Sequence, residues 1–285
     1  MLSQKRVAAI HDISGVGKCS LTVALPIISA AGVECSVLPT AVLSTHTGGF
    51  TGFTYRDLTA DIAAIAAHWQ SLKLHFDAIY TGFLGSFEQI DLVSQAFDDL
   101  ASPDTLIVVD PVMADNGQLY TIFDEHFPAA MKKLCAKAQL IMPNLTEAAF
   151  MLGEPYQPGP YTKEYVEGLL HRLSEAIPAK NIVLTGVYFN DQKLGAASYD
   201  TVSGQIQYIL GQKIPGSYHG TGDVFGSALV GALMCGKALA EAVQIAVDFT
   251  VASIVWTKEA GTEMRYGVNF EANLPLYMKE LGLIK

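Results

Sequence analysis

Short runs of apolar, often β-branched residues alternate along the chain with longer segments of helical periodicity. This alternation predicts a mostly parallel sheet covered by helices, and two runs flanking Ser203-Gly204 predict a β-hairpin. The predicted strands span 6–11, 34–43, 77–81, 105–110, 138–142, 181–185, 195–200 and 205–210, and the predicted helices span 17–31, 57–71, 87–100, 124–136, 146–152, 162–177, 221–235, 238–258 and 270–281. No repeat or linker divides the pattern, so we expect one domain over residues 1–285.

Residues 44–54 fit neither the strand pattern nor the helix pattern. They read STHTGGFTGFT, with glycine, threonine and aromatic residues and no Asp, Glu, Lys or Arg. Loops that lie over binding sites commonly differ from the scaffold in this way. We therefore expect residues 44–54 to form a mobile flap over a site.

The composition restricts the classes of function. A net charge of −10 argues against a nucleic-acid-binding protein, which usually presents a basic stripe, but it is compatible with a nucleotide site. Charged and polar residues interrupt the most apolar stretch, 221–256, so no membrane-spanning helix is expected. The four cysteines lie far apart without a C-x-x-C pair, which favours a reduced, cytoplasmic protein.

The stretch HDISGVGKCS, residues 11–20, raises the question of a P-loop. Counting back from Gly17, the first glycine of that motif would fall at Asp12, and the residue after Lys18 is Cys19 instead of Ser or Thr. The P-loop pattern therefore fails. The stretch still predicts a strand-to-helix turn, and such turns in open α/β sheets face a ligand crevice.

The strongest chemical signal is GTGD, residues 220–223. The glycine-rich turn Gly220-Thr221-Gly222 leads into a helix whose first turn holds Asp223. Free backbone amides and the positive helix end would stabilise an arriving anion, and Asp223 could take a proton from an attacking hydroxyl. Aspartate is also a favoured N-cap residue, so these four residues alone leave a purely structural role open.

Polar residues also follow the predicted central strands. Asp110 ends one strand and Asp115 lies on the loop after it, while Asn144 and Glu147 follow the next strand with the spacing of a capping box. Ligands in parallel sheets bind at these carboxyl ends, where Asp110 and Glu147 could jointly hold hydrated Mg²⁺. Thr185, which ends another strand, is expected on the same rim.

Taken in order, these motifs resemble those of the ribokinase-like superfamily and, within it, of the pyridoxal kinases. The resemblance covers nearly the whole chain and rests on LSTHTGGFTG (43–52), TGFLGS (81–86), DPVMAD (110–115), PNLTE (143–147) and GTGD (220–223). It implies a three-layer α/β/α sandwich with a mostly parallel central sheet and a small flap. It also implies ATP and Mg²⁺ as cofactors, with a monovalent cation such as K⁺ as a further candidate, and a homodimer.

The resemblance also implies residue roles. Asp223 would be the catalytic base, and Gly220, Thr221 and Gly222 the anion hole. The substrate-binding residues would be Asp12, Thr47, Phe83 and Asp223. The ATP-binding residues would be Asp110, Asp115, Asn144, Glu147, Thr185 and Lys213, of which Asp110 and Glu147 would hold the metal. Two residues depart from the resembled family, in which position 12 is usually serine and position 83 is often tyrosine. These departures leave open which form of vitamin B6 the chain would prefer.

The expected reaction transfers the γ-phosphoryl group of ATP to the hydroxymethyl group of pyridoxal, pyridoxine or pyridoxamine. One alternative is a hydroxymethylpyrimidine kinase, a related class that tends to have cysteine where this chain has Asp223. A sugar or nucleoside kinase that shares the fold is a further alternative, although a sugar would need more polar groups than the aromatic, threonine-rich flap offers. A B6-binding protein without turnover is the remaining alternative, against which the presence of Asp223, Gly220 and Glu147 argues.

Overall fold

The computed structural model describes residues 4–285. Within that range the strands are β1 (Arg6–Val16), β2 (Glu34–Thr45), β3 (Tyr55–Asp57), β4 (Ala78–Thr81), β5 (Leu106–Val109), β6 (Ala114–Asp115), β7 (Gln118–Leu119), β8 (Leu140–Ile141), β9 (Asn181–Asn190), β10 (Lys193–Asp200) and β11 (Gln205–Gln212). The helices are α1 (Leu21–Ala30), α2 (Thr59–Ser71), α3 (Phe87–Leu100), α4 (Phe127–Cys135), α5 (Leu145–Met151), α6 (Lys163–Ala176), α7 (Thr221–Met234), α8 (Leu239–Glu259) and α9 (Leu274–Glu280). Every predicted element is present, although several ends differ.

The main sheet is parallel in its centre and antiparallel at both edges. Its strand order is β11-β10-β9-β8-β5-β4-β1-β2-β3. All neighbours from β9 to β2 run parallel, whereas β10 and β11 form the predicted hairpin and β3 pairs antiparallel with β2. The carboxyl ends of β1, β4, β5, β8 and β9 therefore meet at one edge, which is where a parallel sheet presents its site.

The helices cover both faces of this sheet and form two separate cores. Successive strand residues alternate between them: Ile79 faces the core formed with α2 to α6, whereas Tyr80 faces the core formed with α1, α7, α8 and α9. Val108 and Val109 divide in the same way. This period of two, with helices on both sides, makes the predicted three-layer sandwich.

The first strand is longer than predicted, and this moves the turn that follows it. β1 continues to Val16, which pairs with Thr45 at the end of β2. The predicted strand-to-helix turn over 11–20 is therefore wrong in its first half, and α1 begins at Leu21 instead of residue 17. The cause is the length of β2, because its far end supplies backbone partners that keep the chain extended.

Short strands absent from the prediction frame two loops. β3 forms an antiparallel pair with β2, and residues 46–54 between them make up most of the flap predicted over 44–54, whose first two residues instead end β2. β6 and β7 form a separate two-stranded hairpin just after β5. Segments of two or three residues carry too little hydrophobic pattern to be detected from sequence. The predicted loop is present, and its mobility and its position over a substrate stay predictions.

One helix among the described residues, α8, is long and apolar enough to span a membrane by length and composition. Its buried side chains, which include Val243, Ala246 and Phe249, belong to the core shared with α7. A helix with an apolar surface on most sides is either a membrane span or an internal core helix. The packing of α8 against α7 and β11 gives it the second role in this fold.

Candidate active site

The N-terminus of α7 is built to leave backbone amides free. Gly220 is its N-cap residue with a φ of 73°, and no side chain caps this end of α7 within residues 4–285. A Cβ at Gly220 would lie 2.0 Å from the carbonyl oxygen of Lys18, so both conformation and space require glycine. The space beside Gly222 is open, with nothing within 4 Å of an added Cβ. Such a helix end suits an anion.

Asp223 is the third residue of α7 and is not its N-cap. The structural alternative drawn from GTGD, an N-capping aspartate, is therefore wrong. Burial raises the pKa of Asp223 to about 7, an effect that the nearby Asp12 charge reinforces and a hydrogen bond from the Ser20 backbone opposes. A carboxylate with a pKa near neutrality is well matched to proton abstraction at physiological pH.

Asp12 lies beside Asp223, and Ser20 connects the two carboxylates. The Ser20 hydroxyl donates a hydrogen bond to Asp12 Oδ1 at 2.5 Å, and the Ser14 hydroxyl donates one to Asp12 Oδ2 at 3.1 Å. Burial raises the pKa of Asp12, and these two hydrogen bonds partly oppose the rise. Ser20 has a φ of 57°, which is unfavourable for serine. Sequence reasoning missed Ser20, whose role depends on contacts across the fold.

Asn144 and Glu147 form the predicted capping box at the start of α5. The Glu147 amide donates to Asn144 Oδ1 at 2.9 Å, and the Asn144 amide donates to Glu147 Oε2 at 2.8 Å. The other carboxylate oxygen, Oε1, accepts a hydrogen bond from the Met113 amide at 3.1 Å. The capping box therefore fixes the Glu147 carboxylate beside the chain that follows β5.

Asp110 and Glu147 form a buried acidic pair. Burial raises the pKa of Asp110 well above its usual range, and the charges of Glu147 and Asp223 raise it further. Burial also raises the pKa of Glu147. No salt bridge reaches either carboxylate in the part of the chain that the structure describes. Two mutually repelling carboxylates suit a divalent cation whose other ligands are waters and phosphate oxygens.

The three remaining residues that are predicted to bind ATP lie on different parts of the fold. Thr185 is bridged to Asn144 across neighbouring strands, and its amide donates to the Pro143 carbonyl at 2.9 Å. Asp115 is exposed in the β6–β7 hairpin, where its carboxylate binds the following residue. Lys213, just after β11, has its ammonium 3.1 Å from an Asp191 oxygen. The structure thus places Thr185 beside Asn144, the N-cap residue that binds Glu147, and the three ATP-binding roles stay predictions.

The two remaining substrate-side residues lie on loops. Thr47 is exposed on the flap. Phe83, after β4, is half-buried, and its ring centroid lies 5.8 Å from that of Phe123. The edge strand β3 approaches this turn, because a Cβ added at Gly85 would lie 3.4 Å from the Tyr55 hydroxyl. Contact of Thr47 and Phe83 with a substrate stays a prediction.

His46 fastens the flap beside the GTGD turn. Its Nε2 donates to the Arg265 carbonyl at 2.6 Å, and its Nδ1 accepts from the Gly48 amide at 3.1 Å. The His46 ring lies 5.0 Å from Phe50 and 5.2 Å from His219, the residue before Gly220. His46 lies within the LSTHTGGFTG motif, but its contact with Arg265, which is 219 residues away in the chain, depends on the fold.

Comparisons with known proteins agree with this geometry. The sequence model of the phosphomethylpyrimidine kinase family matches residues 24–268. A Bacteroides thetaiotaomicron structure, provisionally described as a phosphomethylpyrimidine kinase and crystallised with pyridoxal, is 40% identical with a TM-score of 0.91 and covers 96% of each chain. The structure of pyridoxal kinase from Lactobacillus plantarum is 34% identical with a TM-score of 0.89, covering 97% of this chain and 98% of that one.

A curated relative extends the comparison. The pyridoxine/pyridoxal/pyridoxamine kinase of Bordetella avium is 25% identical over 273 residues, which is 89% of this chain and 86% of the relative. Fold and site together define a small-molecule kinase of the ribokinase-like fold. The chain belongs to the phosphomethylpyrimidine kinase family. The resemblance to pyridoxal kinases drawn from the motifs is confirmed by these relatives.

Proposed function

We propose that this chain transfers the γ-phosphoryl group of ATP to the 5′-hydroxymethyl group of a vitamin B6 vitamer, giving the 5′-phosphate and ADP. The observation that carries the proposal is the Asp223 carboxylate, with a pKa of about 7, beside the open amides of the α7 N-terminus. The near full-length similarity to a protein crystallised with pyridoxal and to a pyridoxal kinase supports the acceptor.

Asp223 acts as the general base in this proposal. Its carboxylate takes the proton of the hydroxymethyl group as that oxygen attacks phosphorus. The amides of Gly220, Thr221 and Gly222 stabilise the negative charge that spreads over the transferred oxygens. Asp12 lines the acceptor side, with Thr47 and Phe83 as further acceptor contacts.

Asp110 and Glu147 would hold Mg²⁺, which when bound neutralises charge on the ATP phosphate oxygens. The repulsion between these carboxylates is the feature of the chain that fits a cation. Asn144 orients Glu147 through the capping box. Thr185, Asp115 and Lys213 complete the nucleotide side.

The flap keeps water from the reacting phosphate in this proposal. It lies against His219, the residue that precedes the anion-hole turn, so its closure protects the same group that the amides hold. Water admitted at this point would convert ATP to ADP without phosphorylating an acceptor.

The proposal extends to the cellular location and the assembly of the enzyme. The chain would work as a single kinase domain in the cytoplasm, which the four free cysteines support. It would form a homodimer, for which the exposed apolar side chains Val16, Val42 and Tyr55 near the β2–β3 edge offer a surface.

A coupled ADP-release assay with Mg²⁺-ATP tests the function. Pyridoxal, pyridoxamine, pyridoxine and hydroxymethylpyrimidine are compared at matched concentrations, with the phosphorylated product quantified separately. We expect kcat/KM to be highest for one of the three B6 vitamers. Preference for the pyrimidine would identify the enzyme as a hydroxymethylpyrimidine kinase instead. Binding of vitamers without ADP release would indicate a B6-binding protein that lacks turnover.

A further inference from the structure

Asp12 is a buried carboxylate held by two hydroxyl groups. The residue is 5% exposed, and within residues 4–285 its carboxylate accepts hydrogen bonds from the hydroxyls of Ser14 and Ser20. Lys18, nearby in sequence, instead forms a salt bridge with Glu271 at 2.8 Å. No salt bridge within residues 4–285 includes Asp12. Buried carboxylates are ordinarily paired, so the missing counter-charge points to a cationic ligand.

Asp12 lies beside Asp223, the proposed base, and this position determines which part of a ligand Asp12 would contact. Ser20 binds Asp12 through its hydroxyl and Asp223 through its backbone amide. The two carboxylates are therefore neighbours, and their charges interact. In the function proposed above, an acceptor whose hydroxyl reaches Asp223 would present its adjacent substituent to Asp12.

The chemistry of the B6 vitamers makes that substituent decisive. The ring carbon next to the one with the hydroxymethyl group carries an aldehyde in pyridoxal, a second hydroxymethyl group in pyridoxine and an aminomethyl group in pyridoxamine. Only the primary amine is a cation at neutral pH.

We propose that Asp12 is a specificity-determining residue whose carboxylate binds the ammonium group of the substrate, so that the enzyme prefers pyridoxamine to pyridoxine. This inference rests on the function proposed above. A hydrogen bond between an ammonium and a buried carboxylate is much stronger than one between two neutral groups. The amine is therefore favoured in binding before any chemical step.

The test compares the kcat/KM ratio of pyridoxamine to pyridoxine in the unaltered chain, in Asp12→Asn and in Asp12→Ser. We expect a ratio of about tenfold or more in the unaltered chain, falling towards one in both variants, mainly through the KM for pyridoxamine. A general effect on the neighbouring base changes both rates and cancels in the ratio. Asp61→Asn, which removes an exposed carboxylate on α2, is the matched control and keeps the full ratio.

Calorimetric titration of the same two vitamers without ATP separates this inference from the proposed function. Tighter binding of pyridoxamine that disappears in Asp12→Asn supports the role of Asp12 even in a chain that shows no turnover. Equal affinity for the two vitamers in the unaltered chain, or an amine preference that persists in both Asp12 variants, overturns the inference even in an active kinase.

Discussion

The N-termini of α5 and α7 carry an acidic residue at the same position and use it in opposite ways. Glu147 is the third residue of α5, and Asp223 is the third residue of α7. In α5 the acid and the N-cap Asn144 bind each other's backbone amides, which satisfies the helix end internally. In α7 the N-cap is Gly220, which has no side chain to offer, so the helix end remains available to a ligand.

The difference shows how stability and function are divided between two similar turns. A capping box typically contributes about 1 kcal/mol to stability, and α7 forgoes that contribution. It also keeps a charged group in surroundings that raise its pKa, which destabilises the folded state at neutral pH. A local rule broken without internal compensation is typical of functional sites.

The largest expected effect comes from Gly220→Ala, which alters the N-cap residue of α7. The added Cβ overlaps the Lys18 carbonyl oxygen, and the φ of 73° is strained for alanine. We expect kcat/KM to fall by about 10²-fold or more and the free energy of unfolding to fall by about 2–4 kcal/mol. Steady-state kinetics and denaturant unfolding measure the two effects.

Gly236→Ala is the matched control at the other end of α7. Its φ is 81°, and nothing lies within 4 Å of an added Cβ, so it isolates the backbone strain. We expect a loss of about 1 kcal/mol in stability with unchanged kinetics. Equal kinetic effects of the two substitutions would remove the anion-hole turn from the proposed chemistry.

The sequence predicts a mostly parallel sheet and the site motifs, because both follow from local patterns. Asp110 at a strand end, the Asn144–Glu147 spacing and the glycine turn before Asp223 are each readable within a few residues. The extension of β1 to Val16 is not readable in this way, because its partners lie in β2. The same limit applies to Ser20, whose two acceptors are brought together only by folding.

A second, smaller effect is expected from His46→Gln, which loosens the flap on the α7 side. Glutamine offers a donor and an acceptor, but on a flexible chain instead of a rigid ring, so it should hold the Arg265 carbonyl and the Gly48 amide less firmly than histidine does. We expect the ratio of ADP formed to vitamer phosphorylated to rise severalfold, since water reaches the phosphate. Separate quantification of ADP and product measures it, with His68→Gln on the exposed face of α2 as the control.

The smallest effect is expected on the α5 side, from Asn144→Ala. The side chain accepts from the Glu147 amide and donates to the Ala114 carbonyl, and its loss should lower the free energy of unfolding by about 1–2 kcal/mol. Thr162→Ala removes a comparable N-cap from α6. Both variants should be destabilised, but only Asn144→Ala should raise the KM for ATP. An unchanged KM would reduce Asn144 to a purely structural role.

The most direct test of the account measures turnover and thermal stability of Asp223→Asn together. With Asp223 as the base, kcat falls by about 10²-fold or more while ATP still binds. Because burial raises the pKa of Asp223 to about 7, the variant should be more stable by about 1–3 kcal/mol at pH 8. That gain should shrink towards zero near pH 4, where the carboxyl is neutral in the folded state and half neutral in the unfolded state. Normal turnover, or lower stability at pH 8, would contradict the central claim that α7 holds a buried, destabilising base in place of a cap.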